Sequence, residues 1–100
     1  MGEAGADDVI CRAIEELAVR LNCCKRLYRE EGWGDLRKCA RSLIAISEQI
    51  GMTTLANVAR DVTRSVDRCD IVATAATLRR LNRIGERSLT AVWDLQDLSI

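Results

Sequence analysis

The sequence predicts an all-α protein, an antiparallel up-down-up-down bundle of four helices. Three observations carry this reading. Apolar residues recur at 3.6-residue spacing in four segments, the chain has no proline or phenylalanine, and Gly, Thr or Asp residues suited to helix ends separate the segments. Hydrophobic residues make up 48% of the 100 residues but aromatics only 3%, so the core must come from Leu, Ile, Val and Ala, as in helix-on-helix packing. No alternating β pattern, internal repeat or low-complexity tract competes with the helical reading.

Residues 1–6, small and glycine-containing, are expected to form a flexible N-terminus, and residues 7–100 a single domain. Asp7 or Asp8 can cap the first helix, which runs to about Arg29. Ile10, Ala13, Ile14, Leu17, Leu21, Cys24 and Tyr28 then share one stripe. Gly32-Trp33-Gly34 ends that helix, since glycine accepts the left-handed backbone of a helix terminus, and Asp35 stands to cap the next. The second helix, Leu36 to Ile50, turns Leu36, Cys39, Ala40, Leu43, Ile46, Ser47 and Ile50 inward.

Gly51 ends helix two, and Thr53 or Thr54 caps a third helix with Leu55, Val58, Ala59, Val62 and Val66 inward and Arg60 and Arg64 outward. Asp70 caps a last helix to about Leu98, with Ile71, Ala75, Leu78, Leu81, Gly85, Val92 and Leu95 near its seam. At 1.5 Å per residue it is about 42 Å long, more than helices two and three need, so its end is expected to pack on helix one. A glycine inside a helix costs about 1 kcal/mol relative to alanine, so Gly85 points to a close helix approach. Trp33 and Trp93 read as residues that close the ends of the bundle, with binding anchors as the alternative.

Fifteen Lys and Arg balance fifteen Asp and Glu, which leaves no electrostatic footprint for nucleic acid or an anionic membrane. Charges interrupt every apolar run, and the acidic N-terminus lacks the basic and apolar regions of a signal peptide, so a cytoplasmic protein is expected. The five cysteines, Cys11, Cys23, Cys24, Cys39 and Cys69, contain no C-x-x-C pair, and the chain has no histidine. They read as reduced, small apolar packing residues with no metal and no cofactor. Enzyme activity is not expected. A thiol nucleophile would have no imidazole base, and the carboxylate pairs Glu15-Glu16 and Glu30-Glu31 are sequence neighbours on different helix faces.

The most specific stretch is Ala40-Arg41-Ser42-Leu43-Ile44-Ala45-Ile46-Ser47-Glu48-Gln49-Ile50-Gly51-Met52-Thr53-Thr54-Leu55. It resembles the central helix and following turn of histidine-containing phosphotransfer (HPt) domains, whose pattern runs Ala-His-x-Leu-Lys-Gly-x-Ser-x-x-Leu-Gly-x-x-x-Leu. Ala40, Leu43, Ser47, Ile50, Gly51 and Leu55 match the scaffold part of that pattern. The phosphoacceptor position falls on Arg41, and the family's Lys and Gly fall on Ile44 and Ala45. A looser likeness runs from about Val9 to Leu98. The resemblance implies a degenerate, non-catalytic member that binds a receiver domain of a response regulator or a histidine kinase in bacterial two-component signalling.

Periodicity alone puts Arg41 about 160° from the middle of the inward stripe of helix two, and therefore in solvent. Arg37, Lys38, Arg41, Ile44, Ala45 and Glu48 accompany it on that outer face. The functional reading is a partner-docking face in which Arg41 reaches an acidic pocket; the plain reading is a solvated surface. A structural or self-associating bundle is the second function class, so homo-oligomerisation stays open. Arginine is protonated at physiological pH and has only donors, so it cannot accept a phosphoryl group. Incubation with a phosphorylated receiver domain should therefore leave no acid-labile phosphate on the chain, and labelling would overturn the assignment of Arg41 to the acceptor position.

Overall fold

The computed structural model describes the backbone of residues 2–98 and the side chains of residues 9–92 and of Asp94. Its elements are four α-helices: α1 (Gly2–Arg29), α2 (Trp33–Gln49), α3 (Thr53–Asp67) and α4 (Ile71–Leu98). α1 and α3 each pack on both α2 and α4, which closes the four into a bundle. Among the described residues the all-helical expectation and the count of four helices hold. α1 runs back to Gly2, ahead of the expected start, because Glu3, Ala4 and Ala6 favour helix and no proline intervenes. The cap expected from Asp7 or Asp8 lies outside the described side chains, as do the roles expected of Trp93 and Leu95.

The three connections share one design. α1, α2 and α3 are each followed by a single residue with a left-handed backbone: Glu31 (φ 58°), Gly51 (φ 78°) and Cys69 (φ 56°). The amide after each reaches back five residues, with Gly32 donating to the Leu27 carbonyl at 2.9 Å, Met52 to Ser47 at 2.8 Å and Asp70 to Ser65 at 3.1 Å. The left-handed residue itself donates three residues back, to Tyr28, Glu48 and Val66 respectively. These are paired Schellman bonds, which satisfy carbonyls that a helix end otherwise leaves open. The residue after each left-handed position stands directly before the next helix, so each turn is only three residues long.

This economy changes three expected caps. Gly32 and Met52 occupy the positions before α2 and α3, and neither makes a side-chain cap bond. Asp35 instead sits in the first turn of α2, where its charge complements the helix dipole, and Thr53 is already helical. Glu31, rather than a glycine of Gly32-Trp33-Gly34, takes the left-handed backbone. Two expectations hold in detail: Gly51 takes the left-handed backbone after α2, and the Asp70 Oδ1 accepts from the Ala73 amide at 3.0 Å.

Leu17, Leu36, Leu43, Leu55, Val62 and Leu81 are the largest fully buried apolar side chains, and all belong to the expected inward sets. Ala56, Thr74 and Leu89 are buried as well, beyond those sets. Ile71 does not join the seam. It is 63% exposed because it is the first residue of α4, directly after the turn. Ile10 is also exposed, at 45%.

Gly85 lies where a close approach was expected. A Cβ built there would stand 2.6 Å from Leu21 Cδ1 and 3.0 Å from Cδ2, so α1 uses the space that a side chain would fill. Beside it Lys25 pairs with Glu86 at 3.0 Å, which places this part of α4 on α1. Tyr28 and Trp33 meet edge to face at 5.8 Å, the packing role expected of Trp33.

The turns make a clean comparison. A left-handed backbone costs an L-residue about 1–2 kcal/mol, while a new glycine adds unfolded-chain entropy worth about 0.4–1 kcal/mol. Nothing lies within 4 Å of a Cβ at Gly51, so Gly51→Ala meets only the backbone cost. Urea unfolding should find Gly51→Ala destabilised by about 1 kcal/mol and Glu31→Gly stabilised by roughly 0.5 kcal/mol.

Candidate docking face on the second helix

α2 is amphipathic, and its outer face follows from the sequence by subtraction. Leu36, Cys39, Ala40, Leu43 and Ser47 are buried. With the helix phase fixed by that set, Arg41 points to solvent, together with Lys38, Ala45 and Glu48. From Arg37 to Glu48 the face is about 16 Å long at 1.5 Å per residue.

The six expected residues are not equivalent. The Arg37 guanidinium spans both oxygens of Asp67, with Nε to Oδ1 at 2.5 Å and Nη2 to Oδ2 at 3.4 Å. Glu48 is paired with Arg60. Two charges of the face are therefore committed to α3. Lys38 and Arg41 have no ion-pair partner among the described residues, which leaves their charge available between the two committed pairs. Ala45 is exposed and small, so the surface beside Arg41 is shallow.

Ile44 corrects the expected exposed apolar centre. It is half-buried and packs against the core, because it lies one position from Leu43 and four from Ala40 and is drawn to the edge of the apolar stripe. Helical periodicity carries no sign of the two α2–α3 ion pairs. Opposite charges are visible in the sequence, but their pairing depends on the relative placement of two helices.

A second cluster occupies the side of α2 that faces α1. Cys24 is fully buried, Cys39 is 4% exposed and Cys23 is half-buried. Cys24 Sγ donates to Cys39 Sγ at 3.3 Å, and Cys39 Sγ can donate to the Arg20 carbonyl at 3.2 Å. Arg26 Nη2 donates to Cys23 Sγ at 3.6 Å. The hydrogen bond from Cys24 is the leading cause that draws the Cys39 thiol down to about 7 against the opposing effect of burial; Cys23, Arg20 and Arg26 assist. The same bond, followed by burial, pushes Cys24 up. Among the described residues no group of three or more Cys, Asp or Glu side chains is arranged to hold a metal ion. Cys24 and Cys39 both stand on expected inward stripes, so their meeting was within reach of periodicity. Cys69 departs from the packing expectation, being exposed in the α3–α4 turn.

Ser47 is buried, and its hydroxyl has no hydrogen-bond partner among the described residues. No helix among the described residues is long and apolar enough to cross a membrane. Comparison of the chain with family models, with curated proteins and with solved structures finds no match in any of the three.

The exposed ion pairs should matter little to stability, because two mobile side chains lose entropy and water screens their charges. Arg37→Ala and Glu48→Ala should each cost at most about 1 kcal/mol. Double-mutant cycles with Asp67→Ala and Arg60→Ala should recover that small coupling in chemical unfolding. Coupling well above this would show that the pairs help to define the bundle.

Proposed function

We propose that this chain is a non-catalytic, HPt-like protein-binding module that docks a receiver domain or a histidine kinase through the outer face of α2. On this reading the helices run up-down-up-down. Asp67 near the end of α3 pairs with Arg37 near the start of α2, while Arg60, earlier in α3, pairs with Glu48 near the end of α2, and both pairs favour antiparallel neighbours. The observation that carries the proposal is the position of Arg41. It stands exposed and without an ion-pair partner among the described residues, at the point where the resembled pattern has its phosphoacceptor.

A receiver's phosphorylation pocket is rich in carboxylates that otherwise coordinate magnesium, so the Arg41 guanidinium supplies a complementary positive charge. Arginine adds a planar donor fork that matches a carboxylate in two bonds. Ala45 lets the partner surface approach, and Lys38 adds long-range attraction that raises the encounter rate at low salt. Binding without transfer would occupy the pocket and compete with an authentic donor.

A self-associating bundle is the second reading. It is favoured by Val9 and Ile10 of α1, which are 54% and 45% exposed.

The two readings part at Arg41 and Ala45. Arg41→Glu and Ala45→Arg should abolish capture of receiver domains in a binding titration while changing stability by no more than about 0.5 kcal/mol, as is usual for surface sites. Leu43→Ala, on the buried side of the same helix, should cost about 2–5 kcal/mol through the cavity it leaves. If both surface variants bind as the parent does, the α2 face is solvated surface only and the docking reading fails.

A further inference from the structure

We propose that Cys39 is an oxidation site at which a hydroperoxide drives formation of a Cys24–Cys39 disulfide between α1 and α2. The inference rests on the arrangement of thiols and stands independently of the docking reading. The two sulfurs approach within 3.3 Å, although their residues are fifteen positions apart. A disulfide needs about 2.05 Å, so the sulfurs must close by only about 1.2 Å. Cys23 is half-buried and adjoins Cys24 in sequence, which brings the cluster to the edge of the α1–α2 contact.

The surrounding groups divide the labour. The guanidinium of Arg26 is hydrogen-bonded to Cys23, and Arg20 places its carbonyl on Cys39, so positive charge borders the cluster while one acceptor holds the neutral Cys39 thiol. On ionisation Cys39 gives up the Arg20 carbonyl and accepts from Cys24, whose own proton stays in place. The thiolate is the nucleophile and the neighbouring thiol the resolving group.

In the first step the Cys39 thiolate sulfur attacks one peroxide oxygen. An S–O bond forms, the O–O bond breaks, and the departing oxygen takes a proton to leave as water or an alcohol. Sulfur is oxidised by two electrons and the peroxide is reduced by two. In the second step Cys24 sulfur attacks Cys39 sulfur; the S–S bond forms, the S–O bond breaks, and hydroxide leaves as water with the Cys24 proton. A dithiol reductant returns two electrons and two protons to restore both thiols.

The test uses the reduced full chain and hydrogen peroxide, followed by denaturing alkylation and peptide mapping by mass spectrometry. The expected product is a Cys24–Cys39 cross-linked peptide that dithiothreitol removes. Its formation should fall about tenfold per pH unit below 7 and level off above it, as the thiolate fraction does. Cys39→Ser should leave Cys23 and Cys24 open to alkylation, and Cys24→Ser should let dimedone trap a sulfenic acid on Cys39. Exposed Cys69 serves as the reference thiol. Complete alkylation of Cys39 after Cys69 has been oxidised would overturn the proposal, and so would a cross-link from Cys39 to Cys23 or between chains in place of the expected one. Because mapping of the unmodified chain decides this alone, an unfolded variant does not blunt the test.

Discussion

The bundle depends on turns that have no slack. Each connection is three residues long with its middle residue left-handed, and the paired backbone bonds of a Schellman motif lock it. So short a link cannot cross to a distant helix, and consecutive helices must lie side by side. The α1–α2 turn therefore decides that Cys24 meets Cys39, and the α2–α3 turn that Arg37 meets Asp67 and Glu48 meets Arg60. Two of the three left-handed residues are not glycine, so the chain accepts backbone strain of about 1–2 kcal/mol at Glu31 and again at Cys69 to keep these links short.

The fold was legible where the signal was local and repetitive. The inward phase of α2 and α3 could be read from Leu36, Ala40 and Leu43 and from Leu55, Val58 and Val62, because a stripe at 3.6-residue spacing is what a helix buried along one side requires. Gly85 was legible for a different reason: a helix keeps a costly glycine where a neighbour needs the room, and Leu21 takes that room. The ends of the helices were less legible. Asp35 and Thr53 are good cap residues, but the length of the turn, which no propensity records, placed Gly32 and Met52 at the cap positions.

The candidate sites divide along the same line. Exposure of Arg41 followed from periodicity, since it is the complement of burial on one helix. Which of its neighbours remain free to engage a partner did not follow. Arg37 and Glu48 have the residue types expected of a docking face, yet α3 claims both, and Ile44 leans toward the core. Contacts between helices depend on register and rotation, which a single helix pattern leaves undetermined. Those contacts narrow the unpaired charge of the face to Lys38 and Arg41.

α2 thus carries two chemistries back to back, and the energetics of its two faces differ. On the outside, exposed charge pairs contribute at most about 1 kcal/mol, so that surface can change its recognition properties with little effect on folding. On the inside, every position is constrained by packing, and a group that ionises near neutrality is a poor choice for filling space. Valine or alanine at position 39 would avoid the conflict. Cys39 keeps it: an ionisable sulfur, 4% exposed, is supported by a thiol donor from Cys24 and bordered by Arg20 and Arg26. A residue used only to fill the α1–α2 contact would not need that set of neighbours. The same arrangement that burdens the packing draws the Cys39 thiol down toward neutrality and sets a second sulfur 3.3 Å from it.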